Sequence, residues 1–261
     1  MSSRLWDETY AFSELPGDEE TAEEVEFVSR ALGLKDSGLI LDMCCGQGRH
    51  SIRLAAMGYS VIGLDSSRTL LNLAKESSAM PCLWFIEGDM RNIPIRDGSC
   101  DAVINMFTSF GFFDDAGNLQ VLKSVASVLK PGGKFLLDYW NPYAVVRLDG
   151  TRNWWWITES LLSLAEVNYN FSTGRLRDLR TIIDVKGASV ENFVRDLTFY
   201  TLPELEKMLN QAGLRIKKVY GDIDGREYSF DTRRLITVSE QAFEKSLSKR
   251  VLGASAPRKA K

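Results

Sequence analysis

Three acidic residues are candidates for a ligand-binding site. Each follows an apolar segment that is typical of a buried strand. They are Asp42, Asp65 and Asp89. Gly46 and Gly48 follow the first acid and allow the backbone of a tight turn to approach a ligand closely. An acid at this point repels a phosphate and suits a cationic or hydrogen-bond-donating group. The pattern predicts a nucleotide-bearing ligand with an amino-acid tail.

Each of these residues also has a plain structural explanation. Asp65 is a good N-cap for the helix predicted after it, Asp89 fits an ordinary loop, and many strand-to-helix turns contain Gly-x-Gly. The set is more informative than its members, because the carboxyl ends of parallel strands meet at one edge of a sheet. An acid at the end of the second strand is placed to accept hydrogen bonds from two ribose hydroxyls. S-adenosylmethionine is the leading candidate ligand.

Apolar strands alternate with helical patterns in the first half of the chain, which predicts parallel βαβ units in a doubly wound α/β sheet. The predicted strands are residues 39–43, 60–64, 83–86, 101–106 and 134–139, with helices at 20–32, 49–57, 67–77 and 115–129.

The pattern changes after the fifth strand and returns near residue 200. Antiparallel strands predicted at 155–168, 175–184 and 190–197 form a β cap, followed by a helix at 203–211 and strands at 215–221 and 233–238. We therefore expect an N-terminal helical lid at 1–34, a core at 35–150 and 200–240, a cap insertion at 151–199 and a basic tail at 241–261.

Composition is that of an ordinary globular protein. The 261 residues are 44% hydrophobic and 26% charged, with a net charge of −3 that disfavours a dedicated nucleic-acid binder. No apolar run approaches the ~20 residues that span a bilayer, so no membrane role is expected. Four cysteines without a CxxC pair and a single histidine predict buried thiols in a reducing cytoplasm and no metal site.

Five segments together resemble the class I S-adenosylmethionine-dependent methyltransferases, of a small-molecule type similar to methyltransferase domains 25 and 11. They read LDMCCGQGRH at 41–50, VIGLDSS at 61–67, GDM at 88–90, DAVIN at 101–105 and LKPGGKF at 129–135. The resemblance covers about residues 35–140. It implies a Rossmann-like seven-stranded sheet with an antiparallel last strand.

The resemblance also implies roles for individual residues. The cofactor-binding candidates are Asp42, Cys44, Gly46, Gly48, Arg49 and Asn105 around the methionine part, Asp65 at the ribose, and Ser66, Leu70, Asp89 and Met90 around the base.

Three residues of the first motif have open roles. Cys44 stands where the family usually has glycine. A small thiol is tolerated there if φ is negative, and it is either inert or reactive. His50 either contacts the cofactor's carboxylate or a substrate, or makes a structural hydrogen bond in the turn. Arg49 either pairs with a carboxylate or points to solvent.

Methyl transfer requires few side chains, because the sulfonium is already an activated donor and the acceptor must mainly be aligned in line with it. A base is required only where the acceptor loses a proton. The catalytic candidates are Tyr10, His50, Tyr139 and Trp140. Further acceptor-pocket candidates are Phe107, Ser109, Phe110, Phe112, Asp138, Asn141, Tyr143, Trp154, Trp156, Arg195 and Tyr200.

Three functions compete at this point. The favoured one is methyl transfer to nitrogen or oxygen of a small molecule, by a monomer or homodimer. A nucleic-acid or protein methyltransferase is the alternative, supported by the basic tail, but the segment after the fourth strand lacks the Asn/Asp-Pro-Pro-aromatic run of the nucleic-acid enzymes. An NAD-dependent oxidoreductase fits worst, because the turn lacks a third glycine and Asp42 would face a phosphate.

Overall fold

The computed structural model describes residues 16–34 and 38–242, which form two sheets with helices packed around the larger one. The elements are α1 (Asp18–Leu32), β1 (Leu39–Met43), α2 (Arg49–Ala56), β2 (Ser60–Asp65), α3 (Arg68–Ser77), β3 (Leu83–Glu87), β4 (Cys100–Asn105), α4 (Asp115–Val128), β5 (Leu129–Trp140), α5 (Pro142–Val145), β6 (Arg152–Trp156), β7 (Leu161–Asn170), β8 (Arg175–Asp184), β9 (Ser189–Thr198), α6 (Leu202–Gln211), β10 (Leu214–Tyr220) and β11 (Arg234–Gln241).

The larger sheet has seven strands in the order β10-β11-β5-β4-β1-β2-β3. β1 to β5 pair in parallel, whereas β11 runs antiparallel to both β5 and β10. The predicted Rossmann-like sheet with an antiparallel last strand is therefore confirmed. Asp42 lies opposite Gly63 of β2 and Ile104 of β4, so the carboxyl ends of these strands share one edge.

Both faces of this sheet are covered by apolar side chains, which explains the near-continuous hydrophobic strands. Leu41 of β1 belongs to a cluster that includes residues of α4 and α6, whereas its neighbour Ile40 belongs to a second cluster with α1 and α2. Because successive residues of a strand point to opposite faces, one strand supplies both cores.

The β cap predicted after the fifth strand is confirmed as a four-stranded antiparallel sheet in the order β6-β7-β8-β9. The prediction of one strand over 155–168 was wrong, because the chain turns back between β6 and β7. In that turn the backbone N–H of Ile157 donates to the carbonyl of Leu161 at 2.8 Å. The Thr158 hydroxyl also accepts from the N–H of Leu161 at 3.1 Å, which closes the hairpin.

The fifth strand begins earlier than predicted, at Leu129 rather than residue 134. Leu129 already pairs with Cys100 of β4, and the register shifts before Lys134 pairs with Ala102. Gly132 lies in this irregular stretch at a φ of 77°. The Pro-Gly-Gly sequence therefore forms an irregularity inside the strand and not a turn before it.

The cap docks on the core through buried apolar residues and one close backbone approach. Val167, Leu176 and Leu197 of the cap join the core cluster that contains Leu41. The N–H of Thr198 donates to the carbonyl of Gly111 at 2.9 Å. Within the described residues, no helix has the length and apolar composition needed to cross a membrane.

Candidate functional site

A small cleft opens at the carboxyl edge of β1. Its lining residues are Asp42, Cys44, Cys45, Gly46, Gln47, Arg49, His50, Met106 and Phe107. Gly46 and Gly48 have φ of 56° and 80°, in the left-handed region that favours glycine. A Cβ on Gly48 would stand 2.7 Å from the ring of Phe85 on β3, so this glycine also allows the turn to pack against the neighbouring strand.

Cys44 also has a left-handed backbone, with a φ of 63°. The condition of a negative φ is therefore not met, and the chain accepts at this position a conformation that glycine adopts without strain. The Cys44 thiol lies 3.5 Å from the sulfur of Met90. Burial, followed by the charges of Asp65 and Asp42, raises the pKa of the thiol well above its usual value, so the cysteine is held as an inert thiol.

Asp65 connects the turn after β1, which contains Gly46, to the end of β2. One carboxylate oxygen accepts from the N–H of Gly46 at 2.9 Å, and the other accepts from the N–H of Ser67 at 2.8 Å. The N-cap of α3 is Ser67, whose hydroxyl accepts from the N–H of Leu70 at 3.2 Å. The interpretation of Asp65 as that cap is therefore wrong. Burial raises the pKa of the Asp65 carboxyl.

Asp42 is 1% exposed and accepts a 2.5 Å hydrogen bond from the hydroxyl of Ser51 on α2. Burial raises the pKa of this carboxyl, although His50 and the Ser51 hydroxyl oppose the shift. A buried carboxylate whose charge is costly favours a cationic neighbour. The observed environment therefore suits the positively charged group that the sequence indicated.

The other cofactor candidates occupy the same edge with different exposures. Asn105 is fully buried and donates to the carbonyl of Met43 at 3.0 Å. Ser66 is exposed, whereas Leu70 is 5% exposed. Asp89 forms an exposed ion pair with Arg91 at 2.5 Å, which lowers the pKa of Asp89.

Arg49 and His50 share one buried carboxylate partner, Glu24 of α1. The ring of His50 lies 2.9 Å from Glu24, and Arg49 also contacts it. Burial alone would raise the pKa of Glu24, but the His50 hydrogen bond and the Arg49 charge lower it overall. Both His50 and Arg49 therefore contact Glu24 and line the cleft, and His50 makes a structural contact at its edge.

Comparison with known proteins identifies the fold and its chemistry. Residues 40–133 match the family model of the methyltransferase domain. The cypemycin N-terminal methyltransferase of a Streptomyces species is 29% identical over 209 residues, which cover 79% of this chain and 84% of that protein. Residues 40–133 are therefore a methyltransferase domain, and the chain is an S-adenosylmethionine-dependent methyltransferase.

Two solved methyltransferases share the fold over nearly their whole length. CcbJ of Streptomyces caelestis superposes with a TM-score of 0.77 at 22% identity, over 90% of this chain and 96% of that one. The sugar N-methyltransferase KedS8 of Streptoalloteichus superposes with a TM-score of 0.72 at 21% identity, over 93% of this chain and 94% of that one.

The cleft of this methyltransferase suits the amino-acid part of S-adenosylmethionine. Among the described residues, Nη2 of Arg49 and Oδ1 of Asn105 are buried side-chain atoms without a hydrogen-bond partner. An unpaired buried guanidinium nitrogen is costly and fits a carboxylate ligand. Arg49 lies in the same cleft as Asp42, so one wall offers a cation and the other an anion.

The candidate catalytic residues of the methyltransferase differ in what they can reach. Tyr139 is fully buried, and its hydroxyl donates to the carbonyl of Thr198 and accepts from the N–H of Tyr200 at 3.2 Å. It fastens the cap to β5, which removes it from the catalytic candidates. Trp140 is half-buried at the end of β5. Tyr10 lies outside the described residues.

The acceptor-pocket candidates also divide by burial. The structure buries Phe110, Asp138, Asn141 and Tyr200, leaves Phe107, Ser109 and Arg195 half-buried, and exposes Phe112, Tyr143, Trp154 and Trp156. Asn141 donates to the carbonyl of Thr232 at 2.7 Å, and Asp138 accepts from the side chain of Arg234 at 2.8 Å. These two residues therefore have structural partners in place of an acceptor.

Sequence reasoning missed Glu24 and Arg234, which meet at 2.8 Å. Glu24 belongs to the buried stripe of α1 with Thr21 and Val28. An acid at i+3 and i+4 spacing within such a stripe is a signal for a buried ion pair. Its partner is 210 residues away in the chain, which no local pattern reveals.

Proposed function

We propose that this methyltransferase transfers a methyl group in line to a nitrogen or oxygen atom of a small molecule. The observation that carries the proposal is the four-stranded β cap inserted after β5, in a chain whose fold matches a sugar N-methyltransferase over 93% of its length. The name of that sugar N-methyltransferase gives nitrogen as its acceptor atom. A neutral amine requires alignment and no base, which favours nitrogen here.

A screen for methyl acceptors tests the proposal. Purified protein and S-adenosylmethionine are incubated with amines, amino sugars, phenols, peptides and RNA, and release of S-adenosylhomocysteine is measured. We expect turnover with a small amine or hydroxyl compound, and slower turnover with the Asp65→Ala variant when S-adenosylmethionine is limiting. Turnover confined to peptides or RNA would overturn the proposal in favour of the macromolecular alternative.

The proposed cofactor site has two parts, one that binds the amino-acid part of S-adenosylmethionine and one that binds its nucleoside. We propose that Arg49 pairs with the methionine carboxylate, Asp42 faces its ammonium group, and Asp65 binds the ribose hydroxyls. Ser66, Leu70, Asp89 and Met90 would surround the base, and Asn105 would lie beneath the methionine. These assignments are supported by the position of β1 and β2, whose carboxyl ends share one edge of the sheet.

Replacing Asp65 with alanine is expected to weaken binding of S-adenosylmethionine by about 1–3 kcal/mol, because the ribose hydroxyls and the N–H of Gly46 lose their acceptor. Calorimetry measures the dissociation constant. 5′-Methylthioadenosine keeps the ribose and lacks the amino acid. We expect its binding free energy to weaken by the same amount. Unchanged binding by a folded variant would contradict the ribose assignment.

Replacing Arg49 with lysine is expected to raise the dissociation constant of S-adenosylmethionine about tenfold, since lysine keeps the charge beside Glu24 but lacks the second guanidinium nitrogen. Binding of 5′-methylthioadenosine serves as the matched ligand control and should stay unchanged. An equal loss for both ligands would assign Arg49 to the turn and not to the carboxylate.

A further inference from the structure

We propose that Asp138 is a positioning residue that holds the turn after β4, residues Phe107 and Thr108, against the methionine end of the cofactor cleft. Asp138 reaches the cleft through this turn and not by its own side chain. The inference concerns the cofactor side of the site, so it stands apart from the proposed class of acceptor.

The turn after β4 has a backbone that its residues do not favour. Phe107 and Thr108 have consecutive φ of 58° and 56°, both in the left-handed region. A non-glycine residue rarely adopts this region, and a phenylalanine followed by a β-branched residue does so only when other contacts impose it. The conformation therefore requires an external support.

The support comes from β5. The carboxylate of Asp138 accepts from the N–H of Phe107 at 2.9 Å, and the backbone carbonyl of Asp138 accepts from the N–H of Thr108 at 3.1 Å. The N–H of Trp140 then donates to the hydroxyl of Thr108 at 3.1 Å. Three hydrogen bonds to two residues of one strand, Asp138 and Trp140, thus hold the left-handed pair.

The carboxyl group of Asp138 is itself held in the interior by a contact with Arg234. Asp138 is 2% exposed, and the oxygen that accepts from Phe107 also accepts from Arg234 at 2.8 Å. Arg234 is 4% exposed, and its guanidinium also donates to the carboxylate of Glu24 at 2.8 Å. The chain of contacts joins α1, β11 and β5 behind the turn, so it resists displacement.

The turn matters because it supplies one wall of the cleft. Phe107 lines the cleft together with Asp42 and Cys44. The guanidinium carbon of Arg49 lies 5.2 Å from the centre of the Phe107 ring, a distance typical of a cation–π contact. A shift of the turn would move the ring and with it the guanidinium that we assign to the methionine carboxylate.

Calorimetry on the full-length protein tests this role. Asp138→Ala is expected to raise the dissociation constant of S-adenosylmethionine about tenfold, with a smaller change for 5′-methylthioadenosine, which lacks the methionine end. The matched control is Asp101→Ala. Asp101 likewise accepts from a backbone N–H, that of Leu39 at 2.8 Å, and pairs with Lys130 at 2.8 Å, but at the opposite end of β4. Its removal should leave both dissociation constants unchanged.

A second variant separates positioning from general stability. Asp138→Asn retains an oxygen that can accept from Phe107 but loses the charge that pairs with Arg234. We expect it to unfold at a lower temperature while binding S-adenosylmethionine within about threefold of the original protein, since the turn keeps its acceptor. Asp138→Ala should both unfold at a lower temperature and bind S-adenosylmethionine more weakly.

Two outcomes would overturn the proposal. One is a folded Asp138→Ala protein that binds S-adenosylmethionine as tightly as the original, and the other is an equal loss in Asp101→Ala. If Asp138→Ala does not fold, hydrogen exchange on Asp138→Asn decides the question. Because asparagine keeps the acceptor, the amides of Phe107 and Thr108 should stay protected together with the binding of S-adenosylmethionine. Binding retained while these two amides exchange faster than those of β4 would show a merely structural role.

Discussion

Glu24→Gln is expected to reduce the free energy of unfolding by about 3–5 kcal/mol, as breaking a buried ion pair does. Glu24 is fully buried and accepts from His50 at 2.9 Å and Arg234 at 2.8 Å, besides its contact with Arg49. Glutamine offers a single acceptor oxygen and leaves buried cations without a counter-charge. Urea unfolding of the two proteins measures the difference.

The neighbouring Glu23 provides the control for this prediction. It is exposed on the same helix, so Glu23→Gln should change the free energy of unfolding by no more than about 0.5 kcal/mol. A similar small change in both variants would mean that Glu24 does not anchor α1 to the core.

The pH dependence of stability should report the same residue. The pKa of Glu24 is lowered in the folded protein, so the unfolded chain binds the proton more readily than the folded one. The contribution of Glu24 is therefore fully present above its unfolded pKa of about 4.3 and decreases as the pH falls below it. The stability gap between the original protein and Glu24→Gln should narrow in acid, and a constant gap down to about pH 3 would contradict the assignment.

Gly111→Ala is expected to reduce the free energy of unfolding by about 2–5 kcal/mol, because a strained backbone and a steric clash act together. Gly111 has a φ of 105°, and an added Cβ would stand 2.5 Å from the carbonyl oxygen of Thr198 on β9. The clash falls where the cap meets the loop after β4, so the cap must shift. Thermal unfolding measures the loss.

The control for Gly111 separates the backbone conformation from the clash. Gly98 has a φ of 63°, and no atom stands within 4 Å of an added Cβ. Gly98→Ala should therefore cost only the left-handed strain of about 1–2 kcal/mol. If the two alanine variants lose equal stability, close packing between cap and core contributes nothing at Gly111.

The fold was predictable because its signals are local. Apolar runs with the spacing of buried parallel strands, each followed by a helical pattern, indicated the sheet without any knowledge of contacts. The errors fell where regular structure is interrupted. A hairpin between β6 and β7 was merged into one strand, because the segment from Trp154 to Leu162 is apolar on both sides of the turn.

The site was predictable in part for the same reason. Asp42 and Asp65 end two strands that are adjacent in the sheet, so their meeting at one edge follows from topology alone. The left-handed backbone of Cys44 did not follow, because a single residue type does not report its φ. The structural role of Tyr139 could not be predicted either, because its hydroxyl donates to the carbonyl of Thr198 in the cap.

The sequence by itself determined the sheet, the position of the glycine turn and the acids at the carboxyl edge of β1 and β2, because each depends on residues close together in the chain. Only the tertiary structure decided which polar groups are free to bind. Glu24, Asp138 and Arg234 come together from three distant segments, and Glu24 also contacts Arg49, one nitrogen of which is buried without a hydrogen-bond partner. Hydrogen bonds of this kind are satisfied across the whole fold, so no local pattern predicts them.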